Sequence, residues 1–151
     1  MTKKGKIFFY INIILLFFMI LIVKYFYQAV PVKSLEFGDI KISLYIIPNF
    51  KTKDYNIKIR LYNISFKPIN IELSKNNFSF IIKDKEERII YETNIFENTE
   101  GIVKEIESKK YYEIEFQIYK EELKIVDYKK FYNISFRYKN NILTHSYKFL
   151  K

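Results

Sequence analysis

Cysteine and tryptophan are absent from this sequence, histidine occurs once, and glycine and proline occur three times each in 151 residues. Without cysteine there is no disulfide, no thiolate metal site, no cysteine nucleophile and no lipid-bearing N-terminal cysteine. A single histidine excludes a two-histidine metal site within one chain. The glycines, Gly5, Gly38 and Gly101, are too scattered to form a phosphate-cradling loop. Acid is missing from one region altogether: the first carboxylate is Glu36, although Lys3, Lys4, Lys6 and Lys24 precede it. Those four lysines account for much of the formal charge of +9. Without them the balance is 22 basic to 17 acidic residues, which weakens any reading as a nucleic-acid binder.

What is abundant is apolar and aromatic. Hydrophobic residues make up 49% and aromatics 19%, which excludes a disordered chain despite 28% charge. Ile7–Val23 is a run of seventeen residues, IFFYINIILLFFMILIV, with Asn12 its one strongly polar member. As a helix it is about 26 Å long, and extension through Lys24–Tyr27 brings it to about 31 Å, the thickness of a bilayer's hydrocarbon core. Tyr25, Phe26 and Tyr27 then fall at headgroup level, and Lys24 snorkels toward water. The reading is one transmembrane span with ends at Ile7 and Tyr27. The lysine cluster before it places the N-terminus in the cytoplasm and the remainder outside. A removable signal peptide fits less well, because Tyr27 sits where cleavage after Ala29 asks for a small residue. The span is therefore read as an uncleaved signal anchor. A type IV pilin leader fits no better: Tyr10 stands at the position of that family's glutamate, and Lys6 at that of its aromatic.

Beyond Pro31 the pattern changes from continuous to alternating. Ile40, Ile42, Leu44 and Ile46 alternate with Lys41, Ser43 and Tyr45, and Tyr55, Ile57, Ile59 and Leu61 with Asn56, Lys58 and Arg60. The same period recurs at Ile69–Leu73, Phe78–Ile82, Arg88–Glu92, Tyr112–Ile118, Tyr132–Tyr138 and Leu143–Phe149. Period-2 alternation sets one face on a core and the other in water. About eight strands at this spacing, with no amphipathic helix, predict an antiparallel β-sandwich. Asn76–Asn77 and Asn140–Asn141 mark hairpin turns, where asparagine tolerates positive φ. Lys120–Lys130 is read either as one helical turn or as a short strand at Leu123–Val126. Residues 93–101 form the longest loop. The expected organisation is a basic tail (1–6), the span (7–27), a linker (28–36) and one β-domain (37–151).

The stretch YNIKIRLYNISFKPINIELSKNNFSFIIKD (Tyr55–Asp84) has a strand ending in Asn63, a turn carrying Pro68, a second strand, a polar pair and a third strand ending in Asp84. It resembles the BsuPI family of intracellular-proteinase-inhibitor-like domains. The resemblance continues through RIIYETNIF (Arg88–Phe96) and Tyr112–Tyr119, within residues 55–140. It implies an immunoglobulin-like sandwich and, as a function, proteinase inhibition. The chain departs from the family in lacking a glycine in Lys85–Arg88, in carrying Tyr91 in place of a tryptophan, and in placing Lys109 and Lys110 where a glycine is usual. No inhibitory residue carries over.

The residues that could carry chemistry are few. His145 shares a face with Leu143, Tyr147 and Phe149, which suits a core or edge histidine. Asp39, Asp54, Asp84 and Asp127 lie singly at strand ends and turns, where capping explains them and no calcium loop exists. The pairs Glu86–Glu87 and Glu121–Glu122 lie on loops and point into solvent. Lys129, Lys130, Arg137, Lys139 and Lys148, with Tyr128 and Tyr138, form the best basic patch, suited to anionic lipid more than to nucleic acid. The sequons at Asn63, Asn77 and Asn133 are products of asparagine abundance. Tyr62, Tyr91, Tyr111, Tyr119 and Tyr128 exceed what one core face needs, which suits an interface. Nothing here composes an active site. The sequence therefore predicts a non-enzymatic module, without cofactor, metal, nucleic-acid partner or small-molecule substrate. Its expected partners are the membrane and an envelope protein. A proteinase inhibitor or a ligand- or glycan-binding wall module are the alternatives.

Overall fold

The computed structural model describes residues 3–29, 31–96, 101–125, 127 and 130–149, with side chains in the N-terminal helix at Gly5 and at 8–23. Helix α1 (Lys3–Ala29) is followed by β1 (Lys33–Phe37), β2 (Ile40–Pro48), β3 (Tyr55–Asn63), β4 (Ile69–Leu73) and β5 (Phe78–Lys83). Then come β6 (Ile89–Thr93), β7 (Ile102–Ile106), β8 (Tyr111–Ile118), a 3-10 turn at Lys120–Glu122, β9 (Tyr132–Tyr138) and β10 (Asn141–Tyr147). No helix among the described residues is long and apolar enough to cross a membrane. The described side chains of the apolar run go from Phe8 to Val23, about 24 Å of helix. The expected span ends, Ile7 and Tyr27, are helical, but their side chains lie outside the described residues.

The strands form two antiparallel four-stranded sheets, β1-β2-β3-β8 and β10-β9-β5-β6, and a separate β4-β7 pair. Alternation drives the layering. In the first sheet Leu44 faces Ile59, which faces Ile114; in the second, Leu143 faces Phe136, which faces Phe80. The inner faces meet directly, with the Phe80 and Phe116 rings 5.2 Å apart and those of Tyr55 and Phe149 5.0 Å apart. One apolar cluster spans both sheets and takes in Ile71, Leu73 and Ile106 of the small pair. That pair closes one end of the molecule, because the chain leaves the first sheet after Asn63, at the end of β3, passes through β4 and enters the second at Phe78.

Two boundaries differ from the sequence reading. The helix starts within the expected tail, at Lys3, and sheet structure starts within the expected linker. Val32 N–H already donates to Leu44 C=O (2.8 Å), and Lys33–Phe37 pairs with β2. The physical cause is the two-residue Gly38-Asp39 hairpin, in which Gly38 takes φ +58°. The second additional strand is β7. The expected asparagine turns also work differently. Among the described residues the non-glycine positions with positive φ are Lys53, Glu87, Lys109 and Lys139, and no asparagine is among them. Of Asn76, Asn77, Asn140 and Asn141, Asn77 acts through its side chain instead, its Nδ2 donating to Glu72 C=O (3.2 Å).

Candidate functional site

The two long sides of the sandwich differ. On one side β1 and β10 approach each other. On the other, the edge strands β6 and β8 leave a cleft of about 430 Å³. Its walls carry Tyr91, Thr93 and Phe96 from β6 and the chain beyond it, and Tyr112, Glu113 and Phe116 from β8. Among the described residues no strand pairs with the outer edge of β8, and β6 meets only Lys124 N–H, which reaches Ile90 C=O at 3.5 Å. An edge left unpaired among the described residues, beside a trough that mixes aromatic rings with Thr93, Glu115 and Gln117, offers backbone donors and acceptors together with places for alternate side chains.

The cleft is built from core residues that run out at the sheet edge. Phe116 faces Ile57 across the first sheet and stacks edge-on against Phe80 of the second. Tyr91 packs against Phe80 at 6.4 Å and Phe96 against Phe78 at 5.1 Å. Burial pushes the Tyr91 phenol above its ordinary value, and the nearby Glu122 carboxylate adds to the rise against an opposing hydrogen bond with Thr93.

The outward face of β8 is fixed by charge. Glu113 accepts from Arg60 Nε (2.6 Å) and pairs with Lys58 Nζ (3.2 Å). The Arg60 guanidinium lies between the rings of Tyr45 and Tyr111, 4.9 and 5.0 Å from their centroids. Burial pushes the Glu113 carboxyl up, but the hydrogen bonds from Arg60 and Lys58 outweigh it and hold the group below its usual value. The network holds Tyr111 and Glu113 on the outward face of β8, with Glu113 at the rim of the cleft, while Tyr112 and Phe116 lie on its other face.

The sequence-derived candidates fall as follows. His145 is half-buried, opposite Ile134 and 6.5 Å from the Tyr147 ring; burial and then the Lys33 charge lower its pKa. Asp84 is a turn-builder: its Oδ1 accepts from Glu86 and Arg88 N–H, and its Oδ2 from Arg88 Nε (2.7 Å). Asp54 accepts from Lys120 N–H at 3.0 Å. The basic patch does not assemble. Arg137 faces Ile142 and Ser79 at one end of the second sheet, with Lys139 beside it, while Lys130 and Lys148 flank Tyr132 and Tyr147 at the other. Tyr138 is buried, and Tyr128 and Lys129 lie outside the described residues. Of the surplus tyrosines, Tyr91 lines the cleft and Tyr111 stacks on Arg60. Sequence reasoning missed Tyr112, Phe96 and Thr93 as surface-lining groups, because it assigned them to core faces or to loop. No protein-family model matches the chain, and no curated protein matches it significantly.

Proposed function

We propose that this chain is a single-pass membrane protein whose immunoglobulin-like sandwich binds a partner polypeptide in the cell envelope by strand addition at the open β6–β8 side. The observation that carries the reading is the β8 edge, unpaired among the described residues, beside an aromatic-lined trough. Main-chain bonds to β8 supply affinity, and the trough accepts alternate side chains of the incoming strand. The order β2-β3-β8 against β10-β9-β5-β6 follows the immunoglobulin pattern A-B-E against G-F-C-C′, with β1 added outside and β4-β7 closing one end.

The anchor rests on α1. Its large apolar side chains from Phe8 to Val23 are between 44% and 70% exposed, on all sides of the helix. An apolar surface of that extent on a helix is stable in lipid and not in water. The lysines before it orient the N-terminus to the cytoplasm and the sandwich outward.

The test places a photo-crosslinking residue at Glu115, at the cleft edge, and separately at Thr144, on the outer face of β10. The chain is expressed in cells and irradiated. Binding at the cleft predicts one discrete crosslinked species from position 115 and none from 144. It also predicts loss of that species when Thr93→Lys sets a charge inside the trough, with the circular dichroism of the purified chain unchanged. Equal capture at both positions, or capture indifferent to Thr93→Lys, contradicts the proposal.

A further inference from the structure

We infer that the end of the sandwich next to α1 rests on the headgroup layer of the membrane that α1 crosses, held there by three exposed aromatics; this inference depends on the anchored reading above. The chain joins the first sheet at Val32, three residues after Ala29 closes α1, and three peptide units span at most about 11 Å. Lys33 faces Leu44 antiparallel to β2, so tracing back from it leads toward the Pro48 end of that strand. Tyr55 lies opposite Pro48 and Ile118 opposite Tyr55. Across the core, the Tyr55 ring meets Phe149 and the Phe149 ring meets Tyr132 at 5.9 Å. The chain leaving Pro48, the chain leaving Ile118 and the chain entering Tyr132 therefore all emerge at the end nearest α1.

Each of these three segments carries an exposed aromatic beside a lysine: Phe50 with Lys51, Tyr119 with Lys120, and Phe131 with Lys130. The aromatics are 56%, 52% and 52% exposed. A large ring next to an ammonium group suits the interface, where the ring enters the acyl boundary and the cation meets phosphate. Several acids at this end are engaged within the protein, while Glu121 is exposed. Asp54 accepts from Lys120 N–H, Glu122 accepts from Tyr119 N–H (2.9 Å), and the β5–β6 turn pairs Lys83 with Glu87 and Arg88 with Asp84 and Glu86. Exposure alone does not pick out this end, since Phe66 is 89% exposed at the opposite one. The short tether does.

The experiment uses the full chain in phosphatidylcholine vesicles containing phosphatidylglycerol. Three single-cysteine variants carry an environment-sensitive fluorophore: Leu15→Cys in α1, Thr52→Cys in the β2–β3 turn and Asn76→Cys at the far end. Nitroxides are placed on lipid acyl chains or headgroups. The Leu15 label is expected to be quenched from the acyl chains. The Thr52 label is expected to be quenched from the headgroups several-fold more than the Asn76 label, and less so once Phe50→Ser and Phe131→Ser are added. If Leu15 is quenched while Thr52 behaves like Asn76, or the serine substitutions change nothing, the anchor stands and this inference is overturned. If Leu15 is not quenched, the anchored reading fails and the inference falls with it.

Discussion

Replacing Asn63 by alanine removes five side-chain hydrogen bonds around the turn after β3. Its Nδ2 donates to the carbonyls of Lys67 (2.7 Å), Ile106 (2.9 Å) and Glu107 (3.2 Å), and its Oδ1 accepts from Ser65 N–H and Oγ. The side chain is fully buried, and the Ile106 carbonyl loses a buried donor, while Ser65 Oγ still reaches the Lys67 carbonyl (2.7 Å). Asn63→Ala is expected to lower stability by about 2–3 kcal/mol, read as a shift in the urea midpoint in detergent micelles. Asp84 sets a pH dependence. Burial pushes its carboxyl up, but the Arg88 and Glu86 N–H groups and the Arg88 charge more than offset this and hold it below its usual value. A depressed folded pKa contributes stability that is complete above the unfolded value of about 4 and is lost as pH falls through the folded one. Asp84→Asn should therefore flatten the fall in urea midpoint below about pH 4 and leave the slope near neutrality unchanged.

At the scale of elements, the strands with both a buried and a wet face were readable and the edge pieces were not. β3 alternates without a break, Tyr55, Ile57, Ile59 and Leu61 inward and Lys58 and Arg60 outward, and so states its own register. β7 does not, because Ile102 and Val103 are exposed and Ile106 is its one buried residue. It is a strand only because β4 pairs with it, a tertiary cause that periodicity does not carry. β1 was hidden by its length, although Gly38-Asp39 was a legible hairpin signal. The cleft was half legible. Surplus tyrosines pointed to a surface, but which strands end the sheets is a matter of topology. Turn chemistry yields a prediction: Lys53 at φ 66° is strained in a way glycine is not, so Lys53→Gly should raise stability by about 0.5–1 kcal/mol in thermal melts. Arg60 ties β3 to β8 through Glu113, Tyr45 and Tyr111. Arg60→Ala should lower stability by about 1–2 kcal/mol, whereas Lys41→Ala, which removes a looser ion pair with Glu36 (3.9 Å), should change it by less than about 0.5.

For the whole molecule, the free edge of β8 raises the question of why copies do not simply pair through it. Antiparallel self-pairing centred on Ile114 or Glu115, which keeps inward residues inward, sets Glu113 against Glu115 or Glu115 against itself. Like charges directly opposite destabilise such a pair, so the edge is guarded against its own kind and open to another strand. The helix, the short tether and the β6–β8 cleft then fit the proposal of an anchored sandwich that presents an edge to partners outside the cell. The most direct measurement uses the absence of cysteine. Asn76→Cys, in the exposed turn after β4, is expressed in intact cells and treated with a membrane-impermeant maleimide. The account predicts labelling without lysis, on a chain of full-length mass that stays in the membrane fraction. Labelling only after lysis, with the site then fully reactive, would contradict it and place the sandwich on the inner side.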